Sequence, residues 1–557
     1  MRWTLIAAAL LVATQAATQA TAQPAPQVPP TADPGVIQQR RIEEERRREE
    51  LERLQKKPEA EPIRREGLER PAARPATDAL RFLVREIRFT KSDILGADAL
   101  ETVAREFRGR TLSLADLQQL TERVNALYKA KGVVTAQAVI PPQDVSAGIV
   151  TVRLVEGRVG KVSLQGNAST REGYVTDRLS LRSAELVDLP ALERDLSRFN
   201  RSHDAQLRAE LKPGQEFATT DVFLALSEPP QHDLRLFADN GGSESTGEWR
   251  GGLTYLNRSL FGWRDELSLT LNTASGQEGY AASYAVPMNR WGGRAGLAWY
   301  KDRTASKYGP LATLDITGAS TSRVLTLRQP VHFGERLQVD LLGGGKSRSA
   351  RSWTGGLLLQ GTDTDDVNLG VEAQLSDPSG VWLMNYTLAS GRARVAGVDG
   401  RDRYDLGRGT LRRLHDLSGG WSLRGSLNFQ NSSNVLLPSS EQFFIGGEYS
   451  VRGYPTGVYA GDQGYALNLE LHHALPFEAE GIAATGFVLL DKGYVKVFRP
   501  PDSLQRDHEE LAGVGFGVNA TLGKRFNARL TLAYALNALP TEPRRYAVHV
   551  QVVAGLF

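Results

Sequence analysis

From His232 to Phe557 this chain repeats one pattern, with apolar residues at every second position and polar or charged residues between them. Leu267, Leu269 and Leu271 alternate with Glu266, Ser268, Thr270 and Asn272, and Tyr280, Ala282, Tyr284, Val286 and Met288 share a face. The period returns at Leu337/Val339/Leu341 around Gln338 and Asp340, and at Leu423/Leu427/Phe429 around Arg424, Ser426 and Asn428. It recurs at Leu467/Leu469/Leu471 around Asn468 and Glu470, and at Phe526/Leu530/Leu532 around Asn527, Arg529 and Thr531. Successive side chains of a strand point to opposite faces, so one face is greasy and the other wet. Many such strands of roughly ten residues, closing on a C-terminal aromatic, predict a transmembrane β-barrel. Tyr546, Val548, Val550, Val552, Ala554 and Leu556 share a face, which leaves Phe557 out of phase; a bulge or frayed end is the expected cause.

Composition fits that reading once the wet face is allowed for. A mean hydropathy of −0.32 with 24% charged residues suggests a soluble protein, but half of every barrel strand faces water. Beyond the extreme N-terminus no apolar run approaches the roughly 20 residues of a membrane helix. The 55 glycines suit many tight turns, and the absence of Cys excludes disulfides and thiolate metal sites. A formal net charge of +3 is too weak to imply nucleic acid.

The N-terminal part divides into segments. Residues 1–22 read as a secretory signal, with Arg2, an apolar stretch from Leu5 to Ala13, and Ala20-Thr21-Ala22 as the cleavage site. Residues 23–57 hold a Pro-rich stretch and then a charged helix from Asp33 or Pro34 to Lys57, rich in helix formers and i,i+4 pairs. With few apolar residues it is either a solvated helix or tail, or a polar rod of about 35 Å filling a watery lumen. Residues 58–78, with Pro58, Pro62, Pro71 and Pro75, read as an extended linker.

Two small α+β modules follow, at 79–156 and 157–231, ahead of the barrel at 232–557. The first is read as a strand near 82–89, helices near 97–107 and 113–131, and strands near 133–140 and 149–155. Ser113 and Asp116 give its second helix a capping-box start, and Leu114, Leu117, Leu120, Val124, Leu127 and Tyr128 form its apolar stripe. The second repeats the order, with a strand at 158–165, helices near 172–181 and 189–200, and strands near 206–211 and 222–227. Lying between a signal and a barrel, both belong in the periplasm, and their short sheets leave edges on which an extended client can add a strand.

Chemistry-bearing motifs are scarce, and no cofactor is expected. His472 and His473 are adjacent and point to opposite strand faces, so they cannot share a metal; no H-E-x-x-H or G-x-S-x-G run occurs. Gly345-Lys346-Ser347 lacks the first glycine of a phosphate loop, Asp340 standing there, and reads as a strand end. An enzyme is not expected.

Several stretches together resemble the two-partner secretion transporters, outer-membrane pores that export haemolysins and adhesins. Residues 127–162 resemble the first periplasmic POTRA module of that family, and 192–230 the second. "QFFIGGEYSVRGY" (442–454) resembles its long-loop signature and "GDQGYALNLEL" (461–471) the strand after it. The resemblance implies a plug helix, a linker, two POTRA modules and a barrel of about 16 antiparallel strands. It implies a loop tip, Val451-Arg452-Gly453-Tyr454, that folds back into the lumen so that Arg452 meets an aspartate on the barrel wall. By motif that aspartate is Asp491, with Gly493, in "FVLLDKGYV". The family usually has an aromatic two residues before it, where this chain has Leu489, with Phe487 further back.

The implied partners are a large secreted exoprotein (haemolysin, adhesin or toxin) with its own N-terminal secretion domain, and outer-membrane lipid, with no nucleic acid. An insertase of the same superfamily is the competing reading, although insertases usually carry more than two modules. A passive porin fits less well, because porins lack periplasmic modules.

Overall fold

In three dimensions the two-residue period closes into a cylinder. The computed structural model describes residues 28–55, 63–65, 81–133, 135–334, 336–433, 436–476, 481–498, 507–523, 525–539 and 544–557. The expected signal at 1–22 and all of the expected linker except residues 63–65 lie outside the described residues.

The barrel strands in chain order are β1 (His232–Asp239), β2 (Arg250–Asn257), β3 (Glu266–Ala274) and β4 (Gln277–Pro287). Next come β5 (Arg294–Ala305), β6 (Ile316–Phe333), β7 (Leu337–Thr354) and β8 (Leu357–Asp377). They continue as β9 (Gly380–Val395), β10 (Asp402–Asp416), β11 (Trp421–Ser432) and β12 (Gln463–Leu475). The set ends with β13 (Ile482–Lys496), β14 (His508–Leu522), β15 (Phe526–Ala535) and β16 (Tyr546–Gly555). Each strand pairs antiparallel with the next, and β1 closes on β16 from Arg235↔Gly555 to Asp239↔Gln551. This is the 16-stranded barrel that the resemblance implied.

The faces sort as the alternation predicts. Leu269, Leu271, Leu341, Leu530 and Leu532 are exposed on the outside, while Thr270, Asn272, Asp340, Asn468 and Thr531 are buried inside. Apolar outside and polar inside is the reverse of a soluble core and suits lipid around a wet lumen. Strand β16 ends at Gly555, and pairing with β1 continues past it, Leu556 N–H donating to Leu234 O at 2.8 Å and Phe557 O accepting the Leu234 N–H at 3.4 Å. Gly345-Lys346-Ser347 is not a strand end; it sits inside β7, with Lys346 turned into the lumen. Strands β6, β7 and β8 run 18, 18 and 21 residues, beyond the roughly 9–11 that cross a bilayer. The turns joining β5 to β6 and β7 to β8 lie at the barrel end away from the periplasmic modules, so these strands project on the extracellular side.

Each periplasmic module has its own apolar core. The first holds α2 (Ala97–Arg105) and α3 (Leu114–Ala130) against Glu86–Phe89, Ile149–Glu156 and Ala136–Val139. Leu117, Leu120, Val124 and Tyr128 of α3 are buried in it and Leu127 packs against it, whereas Leu114, the helix's first residue, is exposed and does not join the stripe. Ser113 caps α3: its backbone N–H donates to Asp116 Oδ2 at 2.8 Å, and its hydroxyl accepts from the Asp116 N–H. The expected strand at 82–89 is split at Arg85, whose N–H donates to Gly148 O at 2.7 Å. Its first half pairs with a short strand, Arg110–Ser113, that the periodicity did not reveal.

The second module packs α4 (Glu172–Thr176) and α5 (Leu189–Ser202) on Arg158–Gln165, Thr219–Ser227 and Gln206–Pro213. Its outer edge is not open. Ile63–Arg65 pairs parallel with Gln206–Pro213, Ile63 opposite Ala209, and Ile63 packs against the module's core. One of the expected open edges is therefore occupied by a piece of the linker, while Arg158–Gln165 forms the other edge of the same sheet.

The same module is fastened to the barrel through the β2–β3 turn. Arg264, held at φ 55°, is buried and reaches Asp204, while Ser259 Oγ donates to Ser169 O at 2.9 Å. Arg258 bridges Asp204 at 3.3 Å and Asp233 at 2.9 Å.

Candidate functional site

The lumen is filled by α1 (Pro34–Gln55), the helix whose polar surface left its place open in the sequence. Asp33 caps it, its Oδ1 accepting the Gly35 N–H at 2.7 Å, and Pro34 takes the first turn, where no N–H is needed. A 22-residue helix is about 33 Å long, enough to run the height of the barrel. Its N-terminal end lies at the extracellular mouth, where Thr31 O accepts from Ser243 Oγ at 2.6 Å and Val28 N–H donates to Gln360 Oε1 at 3.0 Å.

Polar groups hold the helix body to the wall. Gln38 Nε2 donates to Asp302 Oδ2 at 2.8 Å, and its Oε1 accepts from Ser320 and Ser322 hydroxyls at 2.9 and 2.5 Å. Arg41 reaches the same Asp302 oxygen at 2.8 Å. Glu44 pairs with Arg250 at 2.8 Å, and Glu50 with Arg412 at 3.0 Å. A wet lumen wall thus supplies what an apolar core cannot, which explains a helix in the barrel interior that is more than half charged.

The long connection between β11 and β12 folds inward and places the tip motif on the wall. Arg452 Nε lies 2.7 Å from Asp491 Oδ2 and Nη2 lies 2.7 Å from Oδ1, a two-pronged pair. The Arg452 backbone N–H adds a third bond to Asp491 Oδ2 at 3.1 Å. Relative exposure is 3% for Arg452 and 0% for Asp491, which takes the contact out of the surface class. Arg452 also contacts Glu470, which in turn meets Arg529 at 2.6 Å and His472 at 2.7 Å.

Each of the other motif residues has a visible task. Gly453 sits at φ +99°, which only glycine adopts freely, and a side chain there would run into the β15 backbone at Ala535. A Cβ on Gly493 would lie 2.7 Å from Val451 Cγ2, so glycine on β13 is what lets the tip approach the wall. Val451 and Tyr454 are buried with Ile445, Val495, Leu511 and Ala535. The Tyr454 hydroxyl lies 2.8 Å from Ala512 O and accepts the Asn537 N–H at 3.0 Å. Leu489 is buried where the family usually has an aromatic; Phe487 serves nearby, stacked on His472 at 5.0 Å with the Arg529 guanidinium 4.5 Å above its ring.

Two further networks were not read from the sequence. At the root of the loop, buried Glu441 accepts from Lys346 at 2.7 Å, Arg348 at 3.3 Å and Arg408 at 3.2 Å. Plug and tip also touch each other: Arg47 reaches Tyr449 O, and Arg48 Nη2 donates to the Tyr449 hydroxyl at 3.1 Å. Arg47 Nη2 continues to Asn468 Oδ1 at 3.2 Å, and Asn468 Nδ2 donates to Asp491 Oδ1 at 2.9 Å. A polar chain therefore runs from the plug to the carboxylate that holds Arg452. The lumenal phase of Asn468 was legible and that of Lys346 was not, and the partners both meet across the lumen depend on barrel closure.

Known proteins share this fold. The model of the haemolysin secretion/activation protein family ShlB/FhaC/HecB matches residues 219–520, and the ShlB-type POTRA domain model matches 82–157. The chain is 25% identical over 409 residues to outer membrane transporter CdiB of Dickeya dadantii (strain 3937), covering 70% of this chain and 72% of that one. It is 21% identical over 520 residues to heme/hemopexin transporter protein HuxB of Haemophilus influenzae (strain 86-028NP), covering 88% and 90%. Among solved structures, CdiB from Escherichia coli superposes with a TM-score of 0.64 at 18% identity, covering 94% of this chain and 98% of that one. BamA from Haemophilus ducreyi lacking POTRA domains 1–3 superposes at 0.51 and 13% identity, covering 85% and 100%. The family match spans more than half of the chain and covers the second module's last strand, the tip loop and Asp491: this protein belongs to the haemolysin secretion/activation family, the two-partner secretion transporters of the outer membrane.

Proposed function

We propose that this transporter exports a large unfolded exoprotein to the cell surface, and that plug and tip loop together form its gate. The observation that carries the gate is the polar chain Arg47–Asn468–Asp491–Arg452, which makes departure of the helix and release of the tip mutually dependent. No step is catalytic. The client's secretion domain docks by strand pairing on the second module, where Ile63–Arg65 now occupies the edge of Gln206–Pro213. Client and linker then compete for one edge, so client arrival frees the segment that leads to the plug. A 16-stranded cylinder without its plug leaves an aqueous passage, and folding of the client outside supplies the drive.

The insertase reading has less support: two modules precede the barrel, and the curated relatives CdiB and HuxB are named as transporters. The deciding experiment deletes this protein and follows two readouts: surface appearance of large exoproteins in the producing cell, and assembly of unrelated barrels. Loss of the first with the second intact is the expected result. Normal export with failing barrel assembly would favour the insertase.

A further inference from the structure

The outer wall of the barrel carries a cluster of charge just above its lipid-facing band. On β8 the outward residues are Val367, Leu369, Val371, Ala373 and Leu375. Their span rises about 20 Å for a strand tilted by about 40°, most of the ~25 Å apolar band of such barrels. The next two outward positions toward the extracellular end are Asp365 and Asp363. In register with them stand Ser347 and Ser349 on β7 and Arg392 and Arg394 on β9.

The cluster widens by one strand on each side. Arg323 of β6 pairs with Ser347, and Arg403 of β10 pairs with Arg392. Arg401 lies just before β10 and Arg351 just above Ser349. Asp363 accepts Arg351 at 2.8 Å. Among the described residues the other five arginines form no ion pair, and all five are exposed. Arg392, Arg394 and Arg401, with Ser347, Ser349 and the two aspartates, line an outward cavity of about 250 Å³.

Two features call for an anion there. Arg392 and Arg403 are direct cross-strand partners, a position at about 5 Å where like charges repel each other. Arginines in this number at the edge of the apolar band are unfavourable against hydrocarbon but suited to the headgroup layer. We infer that this face binds the phosphate groups of a phosphorylated glycolipid of the outer leaflet. Guanidinium forks match phosphate oxygens in pairs, and the height fixes the source as a membrane lipid rather than a soluble phosphate. The inference is independent of the gate.

The test uses the purified full chain in detergent, titrated with diphosphorylated lipid A, with its dephosphorylated form, and with lipid A in the presence of inorganic phosphate. An Arg392→Ser/Arg394→Ser/Arg403→Ser variant is expected to bind diphosphorylated lipid A about tenfold more weakly or worse. Asp365→Asn, which removes a competing carboxylate, is expected to bind more tightly, and Lys492→Ser on the far wall to bind as the wild type does. Equal binding of the dephosphorylated lipid, or of lipid A by the triple variant, overturns the site. Full displacement by millimolar inorganic phosphate overturns the lipid assignment. If the triple variant does not assemble, Asp365→Asn decides alone: tighter binding supports the site, and unchanged binding overturns it.

Discussion

Two inward contacts close this barrel, and they are built on opposite plans. The tip is fastened at one point: a buried two-pronged Arg452–Asp491 pair, an apolar collar of Ile445, Val451, Tyr454, Val495 and Leu511, and glycines that admit no side chain. The plug is fastened along its length by separate polar bonds to Asp302, Arg250 and Arg412, each of which water can replace. A concentrated apolar contact resists sliding, whereas a distributed polar one yields a bond at a time. The difference makes the helix the part of the gate that yields first and the tip the latch that holds longest.

Charge reversal at the latch should have the largest effect. Asp491→Arg removes the two-pronged partner of Arg452 and sets a like charge against it, leaving Glu470 alone to compensate, at a cost of about 3–5 kcal/mol. Secretion should cease while the barrel still inserts; surface labelling beside an export assay checks both, and normal export refutes the latch. On the plug side, Asp302→Ala removes the shared partner of Gln38 and Arg41. Loss of those charged bonds at about 2–3 kcal/mol should raise the open fraction roughly 30-fold or more, read as conductance in planar bilayers. No increase would mean that the plug is held elsewhere.

Weaker effects should follow from the periplasmic side. Ile63→Asp loosens the linker from the second module's core, so the client's secretion domain should bind that module more tightly; unchanged affinity would remove the competition for the edge. A pH effect follows from His203, which is buried against Phe199, with Tyr174 Oη 2.6 Å from its Nε2 and its Nδ1 3.0 Å from Phe199 O. Burial pushes its pKa down to about 3, and Arg294 and Arg178 act in the same direction. The folded module thus keeps the ring neutral while the unfolded chain protonates it near its ordinary value. That stability is complete above about pH 6.5 and falls as pH drops toward 3, by about 2 kcal/mol between pH 7 and 5. Hydrogen exchange in α5 should follow that slope, and His203→Gln should flatten it.

How much of this was legible beforehand depends on the range of each signal. Strand faces were readable because a two-residue period is local: Leu269 and Asn272 took the sides their positions dictate. Ser113 and Asp116 announced a helix start for the same reason. Arg452, Asp491 and Gly493 became candidates through motif resemblance, not through any local pattern. Three features were not legible. The lodging of α1 needed a closed lumen to supply Asp302 and Arg412, residues over 250 positions away. Lys346 read as part of a strand end because its partner Glu441 arrives with a loop far along the chain. Ile63–Arg65 is three residues long, too short for periodicity to detect, and its ladder is supplied by another module.

A chain without cysteine permits one direct trial of whether the helix must leave. A Cβ built on Gly35 of the plug lies 3.1 Å from Ala350 Cβ on β7, so the pair needs to part by only a few tenths of an ångström to reach the separation of about 3.5–4.5 Å that a disulfide spans. Export by a Gly35→Cys/Ala350→Cys variant should stop when the pair is oxidised and return on reduction, with either single cysteine unaffected. Undiminished export by the oxidised protein would show that the client passes with the plug in place, and would contradict the gate.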